Sequence, residues 1–201
     1  DVDLRGADLQ LAQLDFVQLT RASLASANLE KASLANAQME RVNLQFARAP
    51  SANFQRANLN LADLTGTLLP HADFSYARMQ KVKLTMIRNS EGICFDGADM
   101  EGCSITDCTL PNASFVGSIL RDVRVEDVRM PSAFLSSTDL TRIFLIDTYM
   151  PSSHLRHANF RGANLDHIHL MYADVSYASF AEAMLQEAQF QSAKAQGTDF
   201  S

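Results

Sequence analysis

Large apolar residues recur at every fifth position along almost the whole chain. From Ala7 the sequence reads ADLQL, AQLDF, VQLTR and ASLAS, and each block holds a small residue, a polar residue, a large apolar residue and two variable residues. We call the place of the large apolar residue the central position. It falls at Leu4 and at every fifth residue up to Leu84, and Ala49 is the one small residue in this series. After a one-residue slip near 89–92, the period resumes at Phe95 and continues to Phe200.

A period of five excludes an α-helix. Five helical residues turn the chain through about 140° beyond a full turn, so the apolar positions would spiral around the helix axis. A very short extended segment instead places the small residue and the central residue, two apart, on one face. The other residues must then turn a corner. Each repeat is therefore predicted to form one side of a polygon, with the small and central positions in the core.

Glycine and proline mark the corners. Seven of the eight glycines lie two places after a central position and the eighth, Gly92, lies in the slip, while all five prolines lie one place after a central position. A type II turn takes φ near −65° at its second residue and positive φ at its third, which suits this order. The prolines also repeat every 20 residues, except for an interval of 41 from Pro70 to Pro111. A coil is therefore predicted to contain four repeats, with one residue inserted near 89–92.

These blocks resemble the consensus A(D/N)LXX of the pentapeptide-repeat family. The resemblance implies an all-β fold, a right-handed quadrilateral β-helix, here with about ten four-repeat coils. With one coil per interstrand spacing of ~4.8 Å, the rod would be roughly 45–50 Å long. We expect one β-helix domain over 1–201 that is a fragment of a longer chain, because neither end carries the cap that a solenoid needs. The alternative is that the coil ends stack on another molecule.

Composition narrows the classes of partner. The 201 residues are 47% hydrophobic, which is typical of a folded chain, and the formal net charge of −6 disfavours direct binding to nucleic acid. No apolar run reaches the length of a membrane span. The three cysteines lack a disulfide-framework spacing and favour a cytoplasmic setting, or a host cytosol if the chain belongs to a secreted effector. Cys103 and Cys108 fall at the small inward position and are expected in the core.

The sequence indicates no enzyme and no cofactor. It has no nucleophile elbow, no phosphate-binding glycine loop and no Cys/His arrangement with a supporting carboxylate. Four histidines cluster at 154, 157, 167 and 169, but they divide between two sides of the coil and lack a metal-ligand spacing. No metal site is predicted.

The side that carries the prolines is the first candidate binding surface. In the predicted frame, its outward positions from Arg48 onward include no carboxylate. We call this surface the neutral face; its candidate protein-binding residues are Arg129, Tyr149, His169, Met171 and Tyr172. Tyrosine, methionine and arginine are enriched in the cores of protein interfaces. The alternative is that proline-bearing turns tolerate neutral residues and that this face binds nothing.

The preceding side carries a column of carboxylates that we call the acidic ladder. Its members recur every 20 residues, with His167 between the last two: Asp107, Asp127, Asp147 and Glu187. Glu126 and Asp166 lie alongside. Like charges about 5 Å apart repel, so the column is costly unless a cation or a basic partner meets it. The alternative is a solvated face.

The family resemblance adds a second possible role for the ladder. Family members of the quinolone-resistance type resemble duplex DNA and occupy the DNA-binding saddle of bacterial gyrase. Duplex DNA would carry on the order of 28 charges over the length of this rod. Because the net charge here is −6, any mimicry would be local.

The sequence therefore predicts a non-enzymatic protein-interaction or scaffold module of bacterial type, with a protein partner that it does not identify. Self-association into a homo-oligomer stays open. Two alternatives remain: a DNA-mimicking inhibitor or protector of bacterial DNA gyrase, and a rigid spacer between flanking domains.

Overall fold

A computed structural model describes residues 2–201, which form a right-handed quadrilateral β-helix. Outside the ladder between Leu68 and Thr109, the residue before a central position pairs in parallel with its equivalent in the next coil, as in Asn28↔Arg48 and Asn159↔Ser179. On one side the pairing lengthens into a parallel sheet of four short strands in the order β1-β2-β3-β4. The strands are β1 (Lys83–Thr85), β2 (Ser104–Thr106), β3 (Arg124–Glu126) and β4 (Phe144–Ile146). The described residues include no helix that is long and apolar enough to cross a membrane.

The corners have the geometry that glycine and proline predict. The residue two places after each central position has positive φ, from +63° to +68° at glycines and from about +50° to +62° at other residues. In most repeats the next N–H donates back to the central carbonyl, as from Ala7 to Leu4 at 3.1 Å. No Val, Ile or Thr occupies the positive-φ position in residues 2–201. Branching at Cβ is poorly tolerated in left-handed backbone, so this position excludes those residues.

The small and central positions form the core, as predicted. Both are buried between Leu19 and Phe180, and the central residues nearer the two ends of the described chain are partly exposed. One column of phenylalanines stacks face to face through Phe54, Phe74, Phe95 and Phe115, with successive ring centroids 4.7, 5.3 and 5.0 Å apart. This stack passes the coil that holds the insertion without a break.

Cys103 and Cys108 lie in this core, as the sequence predicts. Their thiols donate to backbone carbonyl oxygens of the preceding coil, at 2.8 Å from Met79 and 3.1 Å from Leu84. Burial is the main cause that raises the pKa of Cys103 to about 12 and that of Cys108 to about 11. Both thiols therefore act as small packing groups.

The insertion is present, but it lies slightly earlier than the sequence suggests. Ladder partners are 20 residues apart at Asp63↔Lys83 and 21 apart at Asp73↔Cys94. Two residues, Arg88 and Asn89, stand where other coils have one outward residue, and Asn89 adds an extra positive φ of 51°. This is a β-bulge, in which the additional residue leaves the ladder locally unpaired.

Ser90 takes the central position between Leu84 and Phe95, where the series of large apolar residues is interrupted. Its side chain is fully buried. Its Oγ accepts a hydrogen bond from the Leu69 N–H at 2.9 Å and donates one to the Arg88 carbonyl oxygen at 3.0 Å. The period thus resumes at Ser90 rather than Phe95, because a hydroxyl can replace the backbone acceptor that the bulge displaces.

This placement corrects the prediction of a face without carboxylates. Glu91 follows Ser90 and so occupies the place that Pro70 and Pro111 hold in the coils on either side. Its Oε1 accepts a hydrogen bond from Asn112 Nδ2 at 2.9 Å. The neutral face therefore carries one carboxylate, at the bulge.

Candidate protein-binding groove

Three residues of the neutral face form a continuous column. Arg129, Tyr149 and His169 each precede a central position and pair in register along one parallel ladder. The Arg129 guanidinium carbon lies 5.6 Å from the centroid of the Tyr149 ring, within cation–π distance. The Tyr149 and His169 rings are 5.8 Å apart and inclined by 52°, and His169 Nδ1 lies 3.0 Å from Gln189 Oε1. These contacts hold the Tyr149 ring between two neighbours.

Met171 and Tyr172 lie elsewhere on the same side of the helix. They follow the central Leu170. Met171 takes the position of the proline column, 20 residues after Pro151, and Tyr172 lies beyond that column. Tyr172 is 69% exposed and Met171 is partly buried. The five predicted residues of the neutral face therefore fall into two groups, because a residue before a central position lies near one corner and the two residues after it form the next corner.

The acidic ladder occupies positive-φ corner positions. Asp107, Asp127, Asp147 and Glu187 have φ of 54°, 53°, 50° and 54°, and all four are exposed. Among residues 2–201, no cationic side chain lies within 4 Å of the three aspartates, and their carboxylates accept no hydrogen bond from the protein. Glu187 differs, since its Oε2 lies 3.4 Å from His167 Nδ1.

The two residues beside the ladder are already engaged. Glu126 forms an ion pair with Arg124 of the same strand, β3. One carboxylate oxygen of Asp166 accepts a hydrogen bond from the Gln186 N–H at 3.2 Å. The unpaired charge of this side is therefore concentrated on the three corner aspartates.

The acidic ladder and the neutral face meet at one corner of the helix. From the sequence alone they are two separate surfaces. Asp127 and Arg129 flank the inward Val128, and one coil later Asp147 and Tyr149 take the same places. These side chains line a groove of about 380 Å³ that ends at His169. The groove thus has two carboxylates on one wall and a tyrosine between Arg129 and His169 on the other.

Several carboxylates on other sides of the helix have arginine partners one coil away. Asp122 accepts two hydrogen bonds from Arg142, at 2.9 Å to Nε and 2.7 Å to Nη2. Similar pairs join Arg121 to Asp139, Arg156 to Asp174 and Arg161 to Glu182. The three unpaired aspartates of the ladder therefore differ from these four ion-paired carboxylates.

A second group of exposed rings was missed by the sequence analysis. Phe134 and His154 stack with centroids 4.9 Å apart, and His157 and Tyr177 stack at 5.2 Å. The Arg156 guanidinium carbon lies 5.6 Å from the Tyr177 centroid. Pairs of aromatic residues 20 apart at outward positions were the available signal. This group forms a second patch on the side that follows the proline side.

The groove presents charged and aromatic groups suited to recognition. In residues 2–201, no cluster of three or more His, Cys, Asp or Glu side chains could hold a metal ion. The third thiol, Cys94, is partly buried, and burial is the main cause that raises its pKa, which disfavours the reactive thiolate. What the groove can do is hold a cationic side chain between Asp127, Asp147 and the Tyr149 ring.

Comparison with known proteins gives a family match. A family model described as pentapeptide repeats matches residues 18–49, 51–85, 91–122, 132–166 and 163–201. No curated protein matches the chain.

Several solved structures are similar to the chain. HetL, a pentapeptide repeat protein involved in heterocyst differentiation regulation from the cyanobacterium Nostoc sp. strain PCC 7120, is 25% identical; the match covers 99% of this chain and 85% of HetL, with a TM-score of 0.41. QnrB1, a plasmid-mediated fluoroquinolone resistance protein, is 13% identical over 91% of this chain and 82% of its own, with a TM-score of 0.32. Rfr23 from the cyanobacterium Cyanothece 51142 is 20% identical over 62% of this chain and 91% of its own, with a TM-score of 0.28.

Proposed function

The chain belongs to the pentapeptide-repeat family, and from that premise we propose that it is a non-enzymatic protein-interaction module. The binding site is the corner groove formed by Asp127, Arg129, Asp147, Tyr149 and His169. Its partner is a protein that presents a lysine or arginine side chain to the groove. Met171 and Tyr172 lie outside this site and contribute only if the partner also covers the proline column.

One observation carries this proposal: unpaired carboxylates line the same groove as an ordered aromatic column. Asp127 and Asp147 repel one another at coil spacing, and a partner cation would relieve that cost. Tyr149 adds a large apolar surface whose position Arg129 and His169 already restrict, so little side-chain entropy is lost on binding. Arginine and tyrosine are also the residue types in which interface energy concentrates.

The test compares the proteins that immobilised wild-type chain and two triple variants retain from a cell extract. The groove variant carries Asp127→Asn, Asp147→Asn and Tyr149→Ala. The control variant removes the same chemical groups elsewhere, with Glu40→Gln, Glu101→Gln and Tyr172→Ala. We expect a partner that wild type and control retain and that the groove variant binds at least about tenfold more weakly, because hot-spot truncations each cost more than ~1 kcal/mol.

Salt provides a second readout in the same experiment. Binding that depends on a partner cation should weaken between about 0.05 and 0.5 M salt as the charges are screened. If every retained protein binds the groove variant as well as wild type, the groove is not the binding site. If the control variant loses binding instead, the partner covers Tyr172 and the far corner.

A second candidate function, mimicry of DNA toward bacterial gyrase, is favoured by the three unpaired aspartates at successive coils. Their density argues against it, since one carboxylate per ~4.8 Å is well below one charge per ~1.7 Å in duplex DNA, and His167 interrupts the column. A supercoiling assay with purified gyrase separates the two functions. Inhibition that is lost with Asp107→Asn, Asp127→Asn and Asp147→Asn would support mimicry over the first proposal.

A further inference from the structure

The bulge at Arg88 and Asn89 lines a cavity on the proline side of the helix. Its volume is about 530 Å³, and it lies between Pro70 in one coil and Pro111 two coils later. The coil between them lacks a proline and is recessed, with the buried Ser90 on its floor. A ligand could therefore settle between the prolines of the two flanking coils.

The bulge also releases backbone donors. In a regular coil both equivalent amides are bonded, as Arg48 N–H is to the Ala27 oxygen at 2.9 Å and Ala49 N–H to the Leu68 oxygen at 2.8 Å. At the bulge the N–H groups of residues 88, 89 and 90 donate to no other group of residues 2–201. Successive free backbone N–H groups favour anions.

Arg88 brings one positive charge to the cavity, and Glu91 brings one negative charge. Arg88 is exposed, and no carboxylate of residues 2–201 lies within 4 Å of its guanidinium. His71 lies beside it over Gly92, with its Nδ1 2.8 Å from where a Cβ on that glycine would be. Glu91 is the one carboxylate that lines the cavity, and its Oε1 is engaged by Asn112 Nδ2 at 2.9 Å.

We propose that this cavity, which we call the bulge pocket, binds an oxyanion such as a carboxylate or a phosphate. The Arg88 guanidinium and the free N–H groups of 88–90 are its donors, and His71 forms the adjacent wall. Ser90 keeps these donors in place, since its Oγ ties the Leu69 N–H to the Arg88 carbonyl. The bulge pocket is separate from the groove at Tyr149, so this proposal does not depend on the proposed function.

The test is an NMR titration of the full chain, labelled with ¹⁵N, with inorganic phosphate and, in a second arm, with acetate. We expect saturable shifts that centre on the amides of 88–90. The arm with the tighter binding identifies which oxyanion the pocket prefers. Arg88→Gln should weaken binding by about tenfold or more, because a charge-assisted hydrogen bond is lost.

Two further variants keep the result interpretable. Arg78→Gln removes another exposed arginine that has no carboxylate within 4 Å in residues 2–201, and it should leave the titration unchanged. Deletion of Asn89 restores the 20-residue spacing and should abolish binding. Three results would overturn the proposal. The chemical shift changes could spread over all exposed basic residues, they could be as large in Arg88→Gln as in wild type, or neither anion could cause any.

Discussion

At the scale of single residues, the corners are governed by backbone conformation and by the side chain one coil earlier. Four of the eight glycines lie beneath an aromatic ring, and an added Cβ would come within 2.5–2.8 Å of Phe46, His71, Tyr76 or Tyr177. Glycine is needed there for two separate reasons, its positive φ and the room that it leaves for the ring. The many non-glycine residues with positive φ show that the first reason alone is a modest constraint.

Gly97 and Gly117 separate these two effects, because they occupy the same corner in adjacent coils with the same φ of +66°. A Cβ on Gly97 would lie 2.6 Å from the Tyr76 ring, whereas nothing lies within 4 Å at Gly117. We expect Gly117→Ala to lower the free energy of unfolding by about 1 kcal/mol and Gly97→Ala by about 2 kcal/mol or more.

Urea unfolding of both variants, repeated in a Tyr76→Ser background, measures this difference. In that background the two alanine substitutions should cost the same. Equal costs in the wild-type background would mean that the ring moves away freely.

At the scale of the structural element, the bulge shows how one inserted residue is confined to a single side of the helix. The phenylalanine stack and the sheet of β1 to β4 keep parallel register across it. Only the ladder between Leu68 and Thr109 is interrupted. A hydroxyl in the core makes this possible, since Ser90 supplies an acceptor for a buried N–H that would otherwise have none.

Ser90→Ala tests that account. The Leu69 N–H would be left buried without an acceptor, which should lower the free energy of unfolding by about 1–3 kcal/mol. The matched control is Ser118→Ala, another buried serine. Its Oγ donates to the Phe115 carbonyl, which also accepts from the Ser118 N–H and the Thr138 hydroxyl.

The control substitution should therefore change stability by less than about 0.5 kcal/mol. The two variants are compared by urea unfolding under one set of conditions. If Ser90→Ala lowers the free energy of unfolding no more than Ser118→Ala does, the Ser90 hydroxyl does not stabilise the bulge.

At the scale of the whole molecule, charge is distributed unevenly around the rod. Arginine–carboxylate pairs connect neighbouring coils on several sides, while the unpaired aspartates of the ladder face one corner. Each coil contacts only its neighbours, so such cross-coil pairs stabilise the rod locally along its length. The same distribution leaves one corner with a local negative field that the net charge of −6 does not describe.

Acid should lower the free energy of unfolding, because it protonates carboxylates that accept hydrogen bonds in the folded state. Hydrogen bonds from Arg142 lower the pKa of Asp122, those from Ser176 lower that of Asp174, and the Ser201 N–H lowers that of Asp199. A carboxyl whose pKa is lower in the folded state stabilises the fold above its unfolded pKa of about 3.9, and this stabilisation is lost as pH falls through the folded pKa. We expect stability to be nearly constant from pH 7 to about 5 and to fall below about pH 4.

Urea unfolding at a series of pH values measures this curve, and Asp122→Asn serves as its control. The difference between wild type and this variant should shrink as pH falls, because the Asp122 carboxyl is protonated in both states at low pH. A difference that persists at pH 2 would show that the ion pair with Arg142 is not its source.

The sequence by itself determined the repeat, the four-sided coil, the core positions and the corner positions that need positive φ. These follow from local rules of backbone and burial that act in every repeat, so 20-residue spacing places Tyr149 beside His169 without any coordinates. Only the tertiary structure decided that Arg129 and Tyr149 share a groove with Asp127 and Asp147, and that Tyr172 does not. Residue spacing assigns a side of the helix, but side chains meet across corners, and the corner geometry depends on turn dihedrals and rotamers. Ser90 was missed for a related reason: a polar residue can fill a core position once a bulge leaves a backbone N–H without its acceptor.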